Sequence, residues 1–265
     1  MGYKLPLTET CEPEHPDLIT QVITTLAPTP DGPMGPPIIQ ALAVRDRLPG
    51  THLLDSGSVD ADCLVPAQQQ YQIDVVGPPF GSYRWQHKLE HAYDLQAFVL
   101  DWDAQQAHCP QGHTSVTWTP GHDVSGDPVL RIRFARATCR AWPTRQVCTA
   151  AQDAPRQLTG RPQAHHEARQ AARQRQETPE FTEKYALRSG VESRLSQGLR
   201  RFDLRHRRYF GLARTHLQQL LTATAMHIVR LIAWLTGEPL GERRRKPGHF
   251  ARLAPHPVSR QVVRC

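Results

Sequence analysis

Three observations predict a mixed α/β fold. Short runs rich in Thr, Leu, Ile and Val alternate with turn residues near the N-terminus, an amphipathic run follows, and two more apolar runs of strand length come after it. YKLPLTET and LITQVITTLA predict two neighbouring strands joined by the turn-like CEPEHPD. The prolines and glycines of PTPDGPMGPP break the chain, and PIIQALAVRDRL predicts a helix. After Pro49-Gly50, THLLDSG predicts a short strand that delivers Asp55 at its C-terminal end, and YQIDVVGPP at 71–79 a further strand. The order β, β, α, β, α, β puts Asp55 where a strand leaves a sheet, a common position for ligand-binding groups. With 265 residues the chain is long enough to bury a sizeable core.

From 81 to 178 the sequence turns to short polar pieces with scattered Trp, Cys and His, ending in the Gln/Arg-rich HHEARQAARQRQE, which predicts an exposed helix. This stretch reads as an insertion. Thr178-Pro179-Glu180 predicts a helix start, and residues 179 to about 236 read as helical with a break near Gly211. The expected division is 1–80, 81–178, 179–238 and a basic, flexible tail at 239–265. LQQLLTATAMHIVRLIAWL at 217–235 contains His227 and Arg230, which predicts a buried amphipathic helix rather than a membrane span. The start, MGYKLPLTET, lacks the apolar stretch of an export signal, so the expected location is the cytoplasm, with no membrane partner.

Charge is unevenly spread. Residues 181–265 hold 17 Lys+Arg against 5 Asp+Glu, a net of +12, whereas residues 1–180 hold 15 against 20, a net of −5. Such a basic C-terminal third fits a polyanionic partner, most simply nucleic acid, and equally fits a solvated arginine surface. Arg200, Arg201, Arg205, Arg207 and Arg208 are the candidate DNA contacts, interleaved with Phe202, Tyr209 and Phe210; Leu199, Phe202 and Leu212 are assigned to packing.

Within YALRSGVESRLSQGLRR at 185–201, Tyr185, Arg188 and Glu192 fall at i, i+3 and i+7, one face of a helix. Were this helix to pack at the sheet edge, Asp55 and Glu192 would converge, and convergent carboxylates are what Mg²⁺ needs for phosphoryl transfer. The same residues also fit a turn cap and a surface ion pair.

The Tyr-x2-Arg-x3-Glu pattern resembles the signature around the last catalytic acid of bacterial insertion-sequence DDE transposases. GYKLPLTETC, THLLDSGSVDADCL, FARATCRAWPTRQVC and the run from GVESRL to WLTG resemble other blocks of that family. The resemblance implies a ribonuclease-H-like α/β sheet with an inserted cysteine-containing subdomain and a helical C-terminal part. It also implies catalysis with Mg²⁺ or Mn²⁺ on transposon-end and target DNA, by a homo-oligomer on that DNA. Asp55 matches the second metal-binding acid and Glu192 the third, with Arg188 and Tyr185 beside it. The first acid's strand precedes the GYK block in the family, so a chain lacking that strand and the first acid, a truncated transposase, is expected, with its activity left open. Gly57-Ser58, Leu199 and His227 depart from the family pattern.

By the same resemblance Cys109, Cys139 and Cys148 correspond to three members of a zinc cluster whose fourth Cys would stand at Trp142; His108 or His113 is the alternative fourth ligand. Cys11, Cys63 and Cys265 show no metal spacing and read as free thiols. Neither GxxxxGK[ST] nor GxGxxG occurs, which disfavours a nucleotide-binding enzyme. Two other expectations stay open: a non-catalytic DNA-binding fragment that associates with and inhibits a full-length transposase, and a decayed remnant.

Overall fold

A computed structural model describes residues 2–12, 15–79, 81, 85–89 and 91–237. The fold is mixed α/β, as expected, but it is assembled from small sheets. The tail from 239 and Cys265 lie outside the described residues.

The two N-terminal runs form one long antiparallel hairpin. Strand β1 (Tyr3–Lys4) pairs with β4 (Thr25–Leu26), and β2 (Leu7–Glu9) with β3 (Ile19–Val22). Pro6 has no N–H to donate and interrupts the ladder, yet its carbonyl accepts from Ile23 N–H at 3.1 Å, so the two halves stay in line. Helix α1 (Gly35–Ala43) follows. Strand β5 (Thr51–Leu53), helix α2 (Ala61–Tyr71) and strand β6 (Asp74–Val76) then make a parallel unit, with Leu53 opposite Val76. Among the described residues the hairpin and this parallel pair share no strand. Helix α2 starts where the Asp60 carboxylate accepts from Cys63 N–H at 2.9 Å. Ile39 of α1, Cys63 and Ala67 of α2, Val75 of β6 and the adjoining Leu54, Val59 and Ile73 form its core.

The polar middle of the chain, read as an insertion, has a core of its own. Hairpin β7 (Val99–Asp101)–β8 (Gln106–His108) lies beside a three-stranded antiparallel sheet of β9 (Thr117–His122), β10 (Pro128–Arg133) and β11 (Gln157–Gly160). Phe98, Ala107, Leu130, Ile132, Phe134, Cys148 and Leu158 are buried together there, with helix α3 (Arg136–Ala141) alongside. The expected Gln/Arg-rich helix is α4 (Gln163–Gln176), and none of its residues is buried. It lies against α2, with the Arg161 guanidinium just before it on the Asp62 carboxylate.

Helices α5 (Pro179–Ala186), α6 (Ser189–Arg201) and α7 (Leu212–Thr236) follow. The expected start of α5 is present, with Pro179 in the first turn and the Thr178 hydroxyl accepting from Phe181 N–H at 3.2 Å. The break falls at Gly211, whose φ of +91° is a conformation that L side chains rarely adopt. Helix α7 differs from the expectation in one respect. Its buried residues are Thr215, Gln219, Ala223, Met226, Arg230 and Ala233, while most of its leucines and isoleucines face outward. The inward face is polar because it clasps the hairpin. Thr24 Oγ1 bonds His216 Nδ1 at 2.9 Å and also Gln219, Ile19 N–H donates to His227 Nε2, and Arg230 pairs with Glu9. Burial, then the nearby Arg230 charge, push the His227 pKa down, which suits an imidazole that accepts at Nε2. Among the described residues no helix is long and apolar enough to cross a membrane.

Candidate functional site

Asp55 stands two residues beyond β5, in a turn closed by Ser58 N–H donating to the Asp55 carbonyl at 3.0 Å. Its Oδ1 accepts from the Ser58 hydroxyl at 3.3 Å, and its side chain is 54% exposed, so the carboxylate remains open to a ligand. The backbone around it is tight. A Cβ at Gly77, which follows β6, would lie 2.3 Å from the Leu54 carbonyl oxygen, so only glycine allows the strand ends to approach this closely.

The Tyr185–Arg188–Glu192 face is carried by two helices and not by the single helix the spacing predicts. Between α5 and α6 the backbone stays right-handed, but Leu187, Arg188 and Val191 N–H donate three residues back, to Lys184, Tyr185 and Arg188 carbonyls at 3.3, 3.0 and 3.0 Å. Such tight bonds wind the chain more sharply than an α-helix. Arg188 sits at this joint, as the residue before α6. Its Nη2 lies 3.6 Å from Asp55 Oδ2, and its guanidinium stands 5.9 Å above the Tyr185 ring. Tyr185 in turn stacks on the buried Phe181, with centroids 5.4 Å apart and planes at 15°. A rigid column of Phe181, Tyr185 and Arg188 thus delivers a cation to the strand-end acid. Glu192 follows one turn later in α6; its side chain lies outside the described residues.

Asp74, Arg175 and Lys184 drew no notice in the sequence, though they position this joint. Arg175 makes a two-pronged bond to Asp74, with Nη2 to Oδ2 at 2.7 Å, and Lys184 Nζ reaches the same Oδ2 at 3.5 Å, tying α4 and α5 to the start of β6. The only sequence signal is an acid opening a strand. The bond from Arg175 holds the Asp74 carboxyl below the usual range. Asp74→Asn is expected to cost about 1 kcal/mol at pH 7, a small figure because the group is part-exposed. With its folded pKa depressed, this contribution is complete above the unfolded value and is lost as pH falls through the folded one. Urea titrations of both proteins at pH 7 and pH 3 check this.

The nearby acids Asp60 and Asp62 are engaged elsewhere. Asp60 caps α2, and Asp62 is bonded to Arg161 and lies 3.4 Å from His165 Nε2. Arg200, Arg201, Arg205, Arg207 and Arg208 are all exposed, at the end of α6 and on the loop before α7. Within that loop Arg207 stacks on Tyr3 at 5.6 Å and on Phe210 at 4.9 Å. Phe202 packs against the core of the clasped hairpin, whereas Leu212, assigned to packing from the sequence, is 46% exposed.

The three cysteines do come together. Cys109, Cys139 and Cys148 line one small cavity of about 20 Å³ with His113, Trp142 and Arg156. Among the described residues Cys63, Cys109, Cys139 and Cys148 are free thiols. Trp142 packs on Tyr93 with ring centroids 5.3 Å apart. Burial raises the Cys148 pKa above its ordinary value. Among the described residues no group of three or more His, Cys, Asp or Glu is arranged to hold a metal ion. Cys148 is buried in the core of this middle segment, and Cys109 and Cys139 pack against it.

The site is therefore a solvent-open acid at the end of a parallel strand, faced by an arginine from a helix joint, in a mixed α/β chain with a basic C-terminal part. Residues 108–232 match the family model described as transposase DDE domain. The match takes in Tyr185, Arg188, Glu192, the five candidate arginines and the three clustered cysteines; Asp55 lies before it. Comparison with curated proteins and with solved structures gives no match.

Proposed function

We propose that this chain is part of a DDE transposase, with a ribonuclease-H-like catalytic centre that cleaves DNA at transposon ends and joins it to a target. Asp55 and Glu192 are the metal-binding carboxylates, and Arg188 with Tyr185 orients them. Supporting this is the 3.6 Å approach of Arg188 to Asp55, which brings the strand-end acid to the helix pair carrying Glu192 across more than a hundred residues of sequence. Carboxylate oxygens suit Mg²⁺ or Mn²⁺, and the half-exposed Asp55 leaves room for water and phosphate in the shell. When bound, such ions lower the pKa of an attacking water and stabilise the leaving oxygen. Asp55 and Glu192 hold the ions, Arg188 fixes the Asp55 carboxylate and adds positive charge beside it, and the arginines of the loop before α7 take backbone phosphates. In this reading the segment 81–178 is an insertion between the two acids.

A second reading has one observation in its favour. Asp60 and Asp62, the acids nearest Asp55 in sequence, are already engaged, so neither stands free to complete a metal set with Asp55 and Glu192. The chain then binds DNA, or joins a full-length transposase and blocks it, without cutting.

One experiment separates the two. The chain and Glu192→Ala are incubated with DNA carrying the element's ends and Mg²⁺ or Mn²⁺, and nicking and binding are measured together. Nicking lowered at least about 100-fold by the substitution supports the first reading. Salt-sensitive binding without nicking supports the second. Absence of binding at low salt overturns the first reading and the DNA-binding form of the second.

A further inference from the structure

The loop between α6 and α7 holds an aromatic ring out to solvent among arginines. Phe210 is 79% exposed and its neighbour Tyr209 51%, whereas Phe202 packs inward. From 200 to 214 the sequence carries six Arg and one acid, Asp203, which is bonded to His206. The loop is tied down on both sides of the ring. Gln218 of α7 accepts from Arg208 N–H and donates to the His206 carbonyl, both at 2.8 Å, and Gly211 N–H donates to the Tyr3 hydroxyl oxygen at 3.1 Å. The Arg207 guanidinium lies over the Tyr3 and Phe210 rings, so one face of Phe210 is backed by a planar cation while the rest of the ring stays in solvent. We propose that Phe210 is a stacking platform for an unpaired base, and that this loop therefore selects DNA with unpaired nucleotides over an intact duplex.

The proposal rests on DNA being the partner, as in the reading above, and adds the state of that DNA. Three considerations lead to it. Arginines alone account for phosphate binding, on one strand or two, and need no aromatic residue among them. An exposed ring adds affinity where a second flat face can lie on it. In a duplex those faces are covered by the neighbouring base pairs and the grooves offer base edges, whereas an unpaired base offers its face. A protein partner fits the same place poorly, because the centres of protein interfaces are depleted of charge and this ring is surrounded by unpaired-sign guanidinium groups. Anchoring matters as well. A ring already held by Arg207, with its loop fixed by Gln218 and Tyr3, gives up little conformational freedom when a base arrives. Stacking does not read base identity, so the selection is for DNA structure and not for sequence.

The test uses the full chain without divalent ions, so that no cutting occurs, and two fluorescently labelled DNAs of equal length and charge: a fully paired duplex and one with a mismatched central bubble. Anisotropy titrations at low salt are expected to show the bubble bound about tenfold tighter. Phe210→Ala is expected to remove that difference and Phe210→Trp to keep it, since an indole also stacks. Arg205→Gln/Arg208→Gln is expected to weaken binding of both DNAs and to lower the salt dependence of each. Binding of both DNAs without preference, or a preference that survives Phe210→Ala, overturns this proposal and leaves the transposase reading standing. Failure to bind either DNA overturns it together with the DNA-binding readings.

Discussion

Arg230→Ala is expected to destabilise the chain by about 3–5 kcal/mol. The guanidinium lies under the hairpin with its side chain 3% exposed, Nη1 at 2.9 Å from Glu9 Oε2 and at 2.9 Å from the Asp17 carbonyl. The Glu9 side chain is only 7% exposed, so removing the cation takes away the charge that balances a carboxylate held from water, and that makes the loss large. The pair is not strongly stabilising in its own right, since two charges had to be dehydrated to form it and Arg230 Nε is buried without a hydrogen-bond partner. Arg230→Met combined with Glu9→Leu is therefore expected to lose much less than Arg230→Ala alone. Urea unfolding followed by circular dichroism at pH 7 distinguishes these outcomes, and a loss under about 1 kcal/mol for Arg230→Ala would be incompatible with a buried pair.

Acid is expected to weaken the fold by about 3 kcal/mol through His52 alone. This residue is the middle of β5, opposite Val75, 6% exposed, and its Nδ1 has no hydrogen-bond partner. Burial lowers its pKa from 6.5 to about 4. For a base with a depressed folded pKa, the unfolded chain takes up the proton first. Stability is thus full above pH 6.5, falls as pH drops from 6.5 to about 4, and is flat below. His166 and His227 are also lowered and act in the same direction, so the diagnostic quantity is a difference. His52→Val should flatten the profile between pH 6.5 and 4 relative to wild type; identical slopes would mean that His52 is solvated.

Local chemistry made part of this structure legible. Thr178-Pro179 announced α5 because capping is decided within four residues, and THLLDSG announced β5 because an apolar run bounded by Pro49-Gly50 leaves few alternatives. The sheet β9–β11 was missed for a converse reason. TWTPGH contains Pro and Gly and is mostly exposed, and the apolar alternation of PVLRIR gains its meaning from QLTG, which pairs with it from 24 residues or more away. At the joint between α5 and α6 the only local signal is Ser189-Gly190, and a single Gly within an otherwise helical pattern does not mark a change of helix. The orientation of α7 was hidden as well. Periodicity locates an apolar stripe, but which face meets the protein depends on what is opposite, and here Thr24, Ile19 and Glu9 of the hairpin claim the polar one. The approach of Arg188 to Asp55 was within reach only as a conjecture, because it depends on how α5 and β6 are held by Asp74.

The clasp on the hairpin also sets a timetable for synthesis. Its bonds join residues 192 to 221 apart in sequence, from Thr24–His216 to Glu9–Arg230. Growing at about 5–20 residues per second, a nascent chain must carry the apolar face of its first hairpin uncovered for roughly 10–40 s before α7 has been made. Closing so long a loop costs little more free energy than a short one, since each doubling adds only about 0.6 kcal/mol, but it is slow to find. The hairpin of β1 to β4 is thus open to mispairing and to chaperones until α7 is made, and the docking of α7 is the step that ends that exposure.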